Sequence, residues 1–292
     1  MLKENNNHLE SIDVLRAIAI LAVFFFHAKW GYSNANYGAN GFLNFASMKE
    51  LALMLSPTGL GWSGVELFLL ISGFLIHYGY LQLEIRGKEL PVSTFYSKRF
   101  WRIFPPYFIV LLFFALMANP MRYLYDFNIL KDFLLHVFFL HNLSESSFFT
   151  INPAFWSLPL EIHLYLIYPI LLVIRKKAGI KNTFWIVVLL SLFLTGIGFA
   201  WKGNQEFLPY DASVFKYWFV WVGGAYLAEK FKNQERLFNR FPILISFFLF
   251  GGLVFSKVTL PTSKFQIYFC TFAWLAFFDW FINSKTISDS LN

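Results

Sequence analysis

Ionisable side chains inside apolar runs are costly to place, so they are the first candidates for chemistry. The run SIDVLRAIAILAVFFFHAKW holds Arg16 and His27. Their spacing is about three helical turns, about 16 Å, so both side chains leave nearly the same face. The run GWSGVELFLLISGFLIHYGY puts Glu66 near one end, His77 near the other and the small pair Ser72 and Gly73 between them. Small residues at such a point let helix backbones approach closely. In FYSKRFWRIFPPYF, Arg99 and Arg102 are neighbours on one helix face, ahead of Pro105 and Pro106, which suit a helix start. Two guanidiniums so placed can clamp a phosphate. In NPAFWSLPLEIHLYLIYP, Glu161 and His163 follow an aromatic and proline turn, and no Lys or Arg lies within four residues of Glu161. Such a carboxylate calls for a partner on another helix, and His27 is expected at the same depth.

The plainer alternatives are membrane-interface residues. Arg16 can snorkel to lipid phosphates, Glu66, His77 and Asp279 can sit at the interface, and Arg99 and Arg102 can be ordinary cytoplasmic charge. Set against them is the division of the ionisable set. His27, Glu66, His141, Glu161 and His163 fall in one half of the membrane, and Arg16, Arg99, Arg102 and the basic loops in the other. A histidine with a carboxylate is the usual means of activating a hydroxyl. A basic funnel on the opposite side suits a donor that carries several phosphates. That division hints at transfer across a membrane.

These residues need elements to hold them, and the composition says which. Of 292 residues, 57% are hydrophobic and 14% charged, with 39 Phe, 14 Tyr and 10 Trp. Soluble domains carry about 25% charged residues, so this chain cannot cover a water-facing surface. Its solvent is lipid. The net charge of +7 does not point to nucleic acid, because Lys and Arg fall between apolar runs and not in one patch. Cys270 is the single cysteine, which excludes an intrachain disulfide. The segment MLKENNNHLESID has no signal-peptide character, so the first apolar run is expected to be retained.

A spanning helix needs about 20 apolar residues. Candidate spans lie near 12–28, 60–81, 101–118, 158–174, 184–201, 210–228, 241–256 and 265–282. The segment 130–141, LKDFLLHVFFLH, is short and carries Lys131, Asp132 and two histidines, so a re-entrant or interfacial helix is expected there. If it does not cross, the clusters at 86–102, 175–181 and 230–240 share the side of Lys3 and Arg16, as the positive-inside bias requires. The expected fold is therefore all-α, a polytopic transmembrane bundle of about eight spans plus the re-entrant piece. It forms one integral-membrane domain over residues 1–292, N-terminus in the cytoplasm, with no soluble domain and no internal repeat.

At these same residues the sequence resembles the acyltransferase 3 family, polytopic enzymes that O-acylate bacterial surface polysaccharides. SIDVLRAIAILAVFFFH resembles the family's opening, through Arg16 and His27. GVELFLLISGFLI resembles its second-span motif, with Glu66 where the family has an acidic residue, and FYSKRFWRIFPPY resembles its paired-arginine motif. FWSLPLEIHLYLIYP resembles its Trp-Ser-Leu and Glu element, through Trp156, Ser157, Glu161 and Tyr165. Four motifs in the family's order are a specific match, concentrated in residues 11–170.

The resemblance implies transfer of an acyl group, most often acetyl from cytoplasmic acetyl-CoA, to a hydroxyl of an extracytoplasmic carbohydrate or lipid-linked glycan. His27 would then be the catalytic base or acyl-handling residue and Glu161 its assistant. Arg16, Arg99 and Arg102 would hold the donor, with Glu66, Ser72, Gly73, Trp156, Ser157 and Tyr165 in support. Acyl-CoA enters as co-substrate, no bound cofactor or metal is expected, and the address is the bacterial inner membrane. The family continues into a further span with Gly, Ser-Tyr and His motifs. This chain stops at SKTISDSLN, where that span would begin, so a C-terminal truncation is expected. Two other readings are a transporter or flippase-like protein for lipid-linked sugars and an inactive truncated member. The absence of repeated halves and the placing of ionisable residues toward the faces argue against transport.

Overall fold

The computed structural model describes residues 12–27, 61–117, 126–203, 208–238, 242–247, 249, 251 and 263–284. Among them the chain is helical and contains no strand. The principal helices are α1 (12–27), α2 (Gly64–Ile85), α3 (Val92–Met117), α4 (Phe127–Val137), α5 (Ser157–Leu166), α6 (Tyr168–Lys202), α7 (Val214–Lys232) and α8 (Gln266–Ile282). Three of these, α2, α3 and α6, are long and apolar enough to cross a membrane, and α8 is a shorter apolar helix. Their free surfaces are hydrocarbon-like, with Ile109, Phe113 and Met117 on α3 and Leu189, Phe193 and Trp201 on α6 all exposed.

Several boundaries differ from those expected. Helix α3 starts at Val92, so Pro105 and Pro106 lie inside it and not at an entrance. Each interior proline removes a backbone hydrogen bond, which an apolar 26-residue helix absorbs along its length. The expected span 158–174 is interrupted, because α5 ends at Leu166 and α6 restarts at Tyr168 with Pro169 in its first turn. Helix α6 is itself two helices, 168–178 and 180–202, broken at Gly179, where φ is 75° and ψ 156°. A side chain at that φ is strained, so glycine is required. The basic cluster Arg175, Lys176 and Lys177 thus rides on a helix end and not in a loop.

Helix α4 is 11 residues long, capped by Asp126, whose carboxylate accepts from Asn128 N at 2.9 Å. At about 1.5 Å per residue it spans about half the hydrocarbon core, the length of a re-entrant or interfacial piece. The expected span 241–256 lies largely outside the described residues, of which 242–247 are helical.

The chain divides into two compact units, residues 1–77 with 223–292, and residues 78–222. In the first, α2 and α7 meet backbone to backbone, since a Cβ on Gly224 would stand 1.9 Å from Leu70 O. Phe74 packs on Phe231 at 5.7 Å and Phe278 at 5.2 Å. Two polar groups expected at the interface are core groups of this unit. His77 is fully buried and its Nε2 lies 3.1 Å from Glu229 Oε1. Asp279 is fully buried and accepts from Leu237 N at 3.1 Å and Phe238 N at 3.0 Å. In both cases a polar partner offsets the cost of burial.

In the second unit, Tyr168 is fully buried against Trp221 at 5.3 Å and Phe95 at 5.5 Å. Arg175 at the end of 168–178 grips Glu84 with two nitrogens, at 2.6 Å and 3.0 Å. Lys216 on α7 is buried and paired with Asp211 at 2.7 Å.

Candidate active site

Helix α1 carries Arg16 and His27 in the first unit. Arg16 is partly exposed and pairs with Asp13 at 3.0 Å, one turn back. His27 lies at the end of the described helix, its Nδ1 2.8 Å from Val23 O. A carbonyl oxygen can only accept, so in the neutral ring Nδ1 carries the proton and Nε2 presents a lone pair. That tautomer is the one a general base needs. Phe26 holds the ring edge-on at 5.6 Å. Glu66 in the first turn of α2 is buried, at 2% exposure, and Gly73 is buried midway along the same helix, with Ser72 half-buried.

The second unit carries Arg99, Arg102, Trp156, Ser157, Glu161 and Tyr165. Trp156 ends a 3₁₀ turn that Asn152 caps by accepting from Ala154 N, and Ser157 begins α5. One turn separates Glu161 from Tyr165, and the Tyr165 hydroxyl donates to Glu161 Oε1. One partner of Glu161 is thus supplied within α5. The guanidinium of Arg99 stands over the Tyr165 ring at 5.5 Å and over Phe95 at 5.7 Å. The sequence placed Arg99 and Glu161 toward opposite faces, whereas Tyr165 joins them in one cluster. Arg102 is exposed.

A second polar cluster went unread. His136 lies in the last turn of α4 and His141 opens the 3₁₀ turn that follows, and their rings stack in parallel at 3.8 Å. Both are fully buried. His136 Nδ1 bonds to Asp132 O at 2.8 Å, and the Tyr107 hydroxyl donates to His136 O at 2.9 Å. Burial first, and then the neighbouring His136, push the His141 imidazole down to about 3. The carbonyls of Leu135 and Phe155 favour a proton on His141, yet neither meets hydrogen-bond geometry. Five residues is no helical spacing, so only the turn after α4 could have revealed the stack. Among the described residues no group of three His, Cys, Asp or Glu side chains is arranged to hold a metal ion.

Comparisons with known proteins bear on the chain as a whole. The family described as Acyltransferase domain matches residues 9–289. An uncharacterized protein of Haemophilus influenzae is 31% identical over 147 residues, which is 46% of this chain and 60% of that one. Peptidoglycan O-acetyltransferase OatA of Listeria monocytogenes is 28% identical over 188 residues, 61% of this chain and 26% of that protein. O-acetyltransferase OatA of Staphylococcus aureus is 26% identical over 203 residues, 64% of this chain and 29% of that protein. The chain thus spans less than two thirds of the length of each. No solved structure matches it. A match that takes in both units, and every candidate residue from Arg16 to Tyr165, makes this chain a member of the acyltransferase 3 family.

Proposed function

We propose that the chain is a membrane-bound O-acyltransferase, moving an acetyl group from cytoplasmic acetyl-CoA to a hydroxyl of an extracytoplasmic carbohydrate. The observation that carries this reading is the His27 ring, with Nδ1 tied to Val23 O and Nε2 left as a base. In the reaction Nε2 takes the hydroxyl proton as the oxygen attacks the thioester carbonyl. The new C–O bond forms, the C–S bond breaks, and the departing thiolate takes up the proton. Glu161, held by Tyr165, supports this chemistry from its cluster on α5.

Exposed Arg102 and partly exposed Arg16 serve the donor's phosphates, for which a guanidinium fork is well matched. Two OatA relatives named as O-acetyltransferases, one of them of peptidoglycan, support acetyl as the group and an envelope glycan as the acceptor. The reading places the protein in the inner membrane, with about eight crossings and the N-terminus in the cytoplasm.

The test is His27→Ala in cells fed labelled acetate, with O-acetyl groups on envelope glycans counted by mass spectrometry. A positioned base contributes about 10²–10⁴-fold, so labelling is expected to fall to background while the protein still inserts. Unchanged acetylation by an inserted His27→Ala protein would remove His27 from the mechanism.

A further inference from the structure

Arg99 lines a cleft of about 400 Å³ in the second unit, bounded by α3, α5 and the turn after α4. Phe100, Phe104, Phe139 and Ile162 form its apolar walls. Phe100 stacks on Phe104 at 4.8 Å, and Phe104 in turn on Phe108 at 5.4 Å. Phe139 has a φ of 56°, a cost that persists only where packing holds the residue in place. It is held by Tyr107, stacked on its ring at 4.7 Å.

Two tyrosine hydroxyls at the cleft are committed, Tyr96 to Leu166 O at 3.1 Å and Tyr165 to Glu161. Arg99 is the charged residue of the lining, and its Nε is buried with no hydrogen-bond partner among the described residues. At the rim Phe138 is 66% exposed and Leu166 56% exposed, so the mouth is apolar.

We propose that this cleft binds an anionic lipid, with an acyl chain between the aromatic walls and Ile162 and the phosphate on Arg99. The walls exclude the rival ligands. Sugar hydroxyls, or the amides of a pantetheine arm, would leave water there and find few partners. A hydrocarbon chain gives up no hydrogen bond by entering. A buried guanidinium N–H without an acceptor favours a ligand that brings an anion. An apolar mouth lets the ligand enter sideways from the bilayer. This takes Arg99 away from the acyl donor, the role its motif suggested, and couples the lipid through Tyr165 to Glu161. The proposal needs the second unit to sit in a membrane but does not need the acyltransferase reading.

The experiment is native mass spectrometry of the full chain released from phosphatidylcholine nanodiscs. The probes are dioleoyl phosphatidic acid, dioleoylglycerol, inorganic phosphate and CoA. Phosphatidic acid is expected to bind about tenfold or more tightly than dioleoylglycerol, and neither inorganic phosphate nor CoA should displace it. Arg99→Gln, and Leu166→Glu at the exposed rim, should each weaken that binding about tenfold while CoA binding stays within about twofold. Equal binding of the uncharged lipid, displacement by CoA, or parallel loss of CoA in Arg99→Gln would overturn the proposal. So would phosphatidic acid binding that neither variant weakens. Because acetyl transfer is not read here, failure of the His27 experiment would leave this result standing, and the reverse holds as well.

Discussion

At the residue scale the second unit concentrates its polar chemistry around aromatic rings. Glu161 receives the Tyr165 hydroxyl, and Arg99 lies on the same ring. Hydrogen bonding and cation–π contact both help keep charge in this apolar setting, each a means of stabilising an ion away from water. The His136 and His141 stack faces a different constraint. Asp132 and His163 are the titratable neighbours that act on it, and burial dominates both. With His141 near 3 in the folded chain and an ordinary imidazole near 6.5 when unfolded, the unfolded chain binds the extra proton between those values. Stability from this residue is complete above about pH 6.5 and falls as the pH drops toward 3. Thermal unfolding followed from pH 8 to pH 4 should show that loss, and His141→Gln should flatten it. An equally steep acid decline in the variant would mean that other groups govern it.

At the element scale, backbone geometry determines what hydropathy cannot. The apolar runs were legible because lipid demands them, and the last helix of the described residues, Gln266–Ile282, falls within one residue of the run expected at 265–282. The start of α3 was not legible. Ser93, Thr94, Ser97 and Lys98 are exposed and polar, so a scale that measures transfer into hydrocarbon stops before them while the helix continues. The breaks at Ile167 and Gly179 were missed for the converse reason, since each lies in residues that read as continuous helix or loop. Gly179 gives a direct check. A Cβ there would meet nothing within 4 Å, so the cost of Gly179→Ala is backbone strain alone, about 1–3 kcal/mol. Gly196→Ala, equally uncrowded but inside the helix, should be neutral or stabilising by about 0.5–1 kcal/mol. Equal effects of the two, read by chemical unfolding in detergent, would show that the φ at Gly179 does not matter to the fold.

At the scale of the whole molecule, the four motifs were legible because each is one continuous stretch of chain, and all four lie within the family's match over 9–289. Their mutual contacts were not. Spacing within one helix says which residues share a face, as Glu161 and Tyr165 do, and nothing about a guanidinium such as that of Arg99 reaching Tyr165 from another helix, or two rings meeting across a helix end. The proposed orientation is open to direct measurement. Cys270 is fully buried, so the native thiol is a silent background for cysteine labelling. Lys177→Cys should react with an impermeant maleimide in inside-out vesicles and stay unlabelled in intact spheroplasts. The opposite pattern would invert the arrangement and move the donor-side residues to the outer face.

The clasp between Arg175 and Glu84 has a consequence for the order of events in biosynthesis. In the folded protein two nitrogens of Arg175 are spent on one carboxylate, and its guanidinium also lies 5.7 Å from the centre of the Tyr80 ring. A charge so neutralised exerts little pull across a membrane. If Arg175 helps to orient the chain, it must do so while the nascent polypeptide is still threading, before the segment bearing it has docked. The same side chain then acts twice, first as a signal that sets direction and later as a latch that holds the finished unit closed.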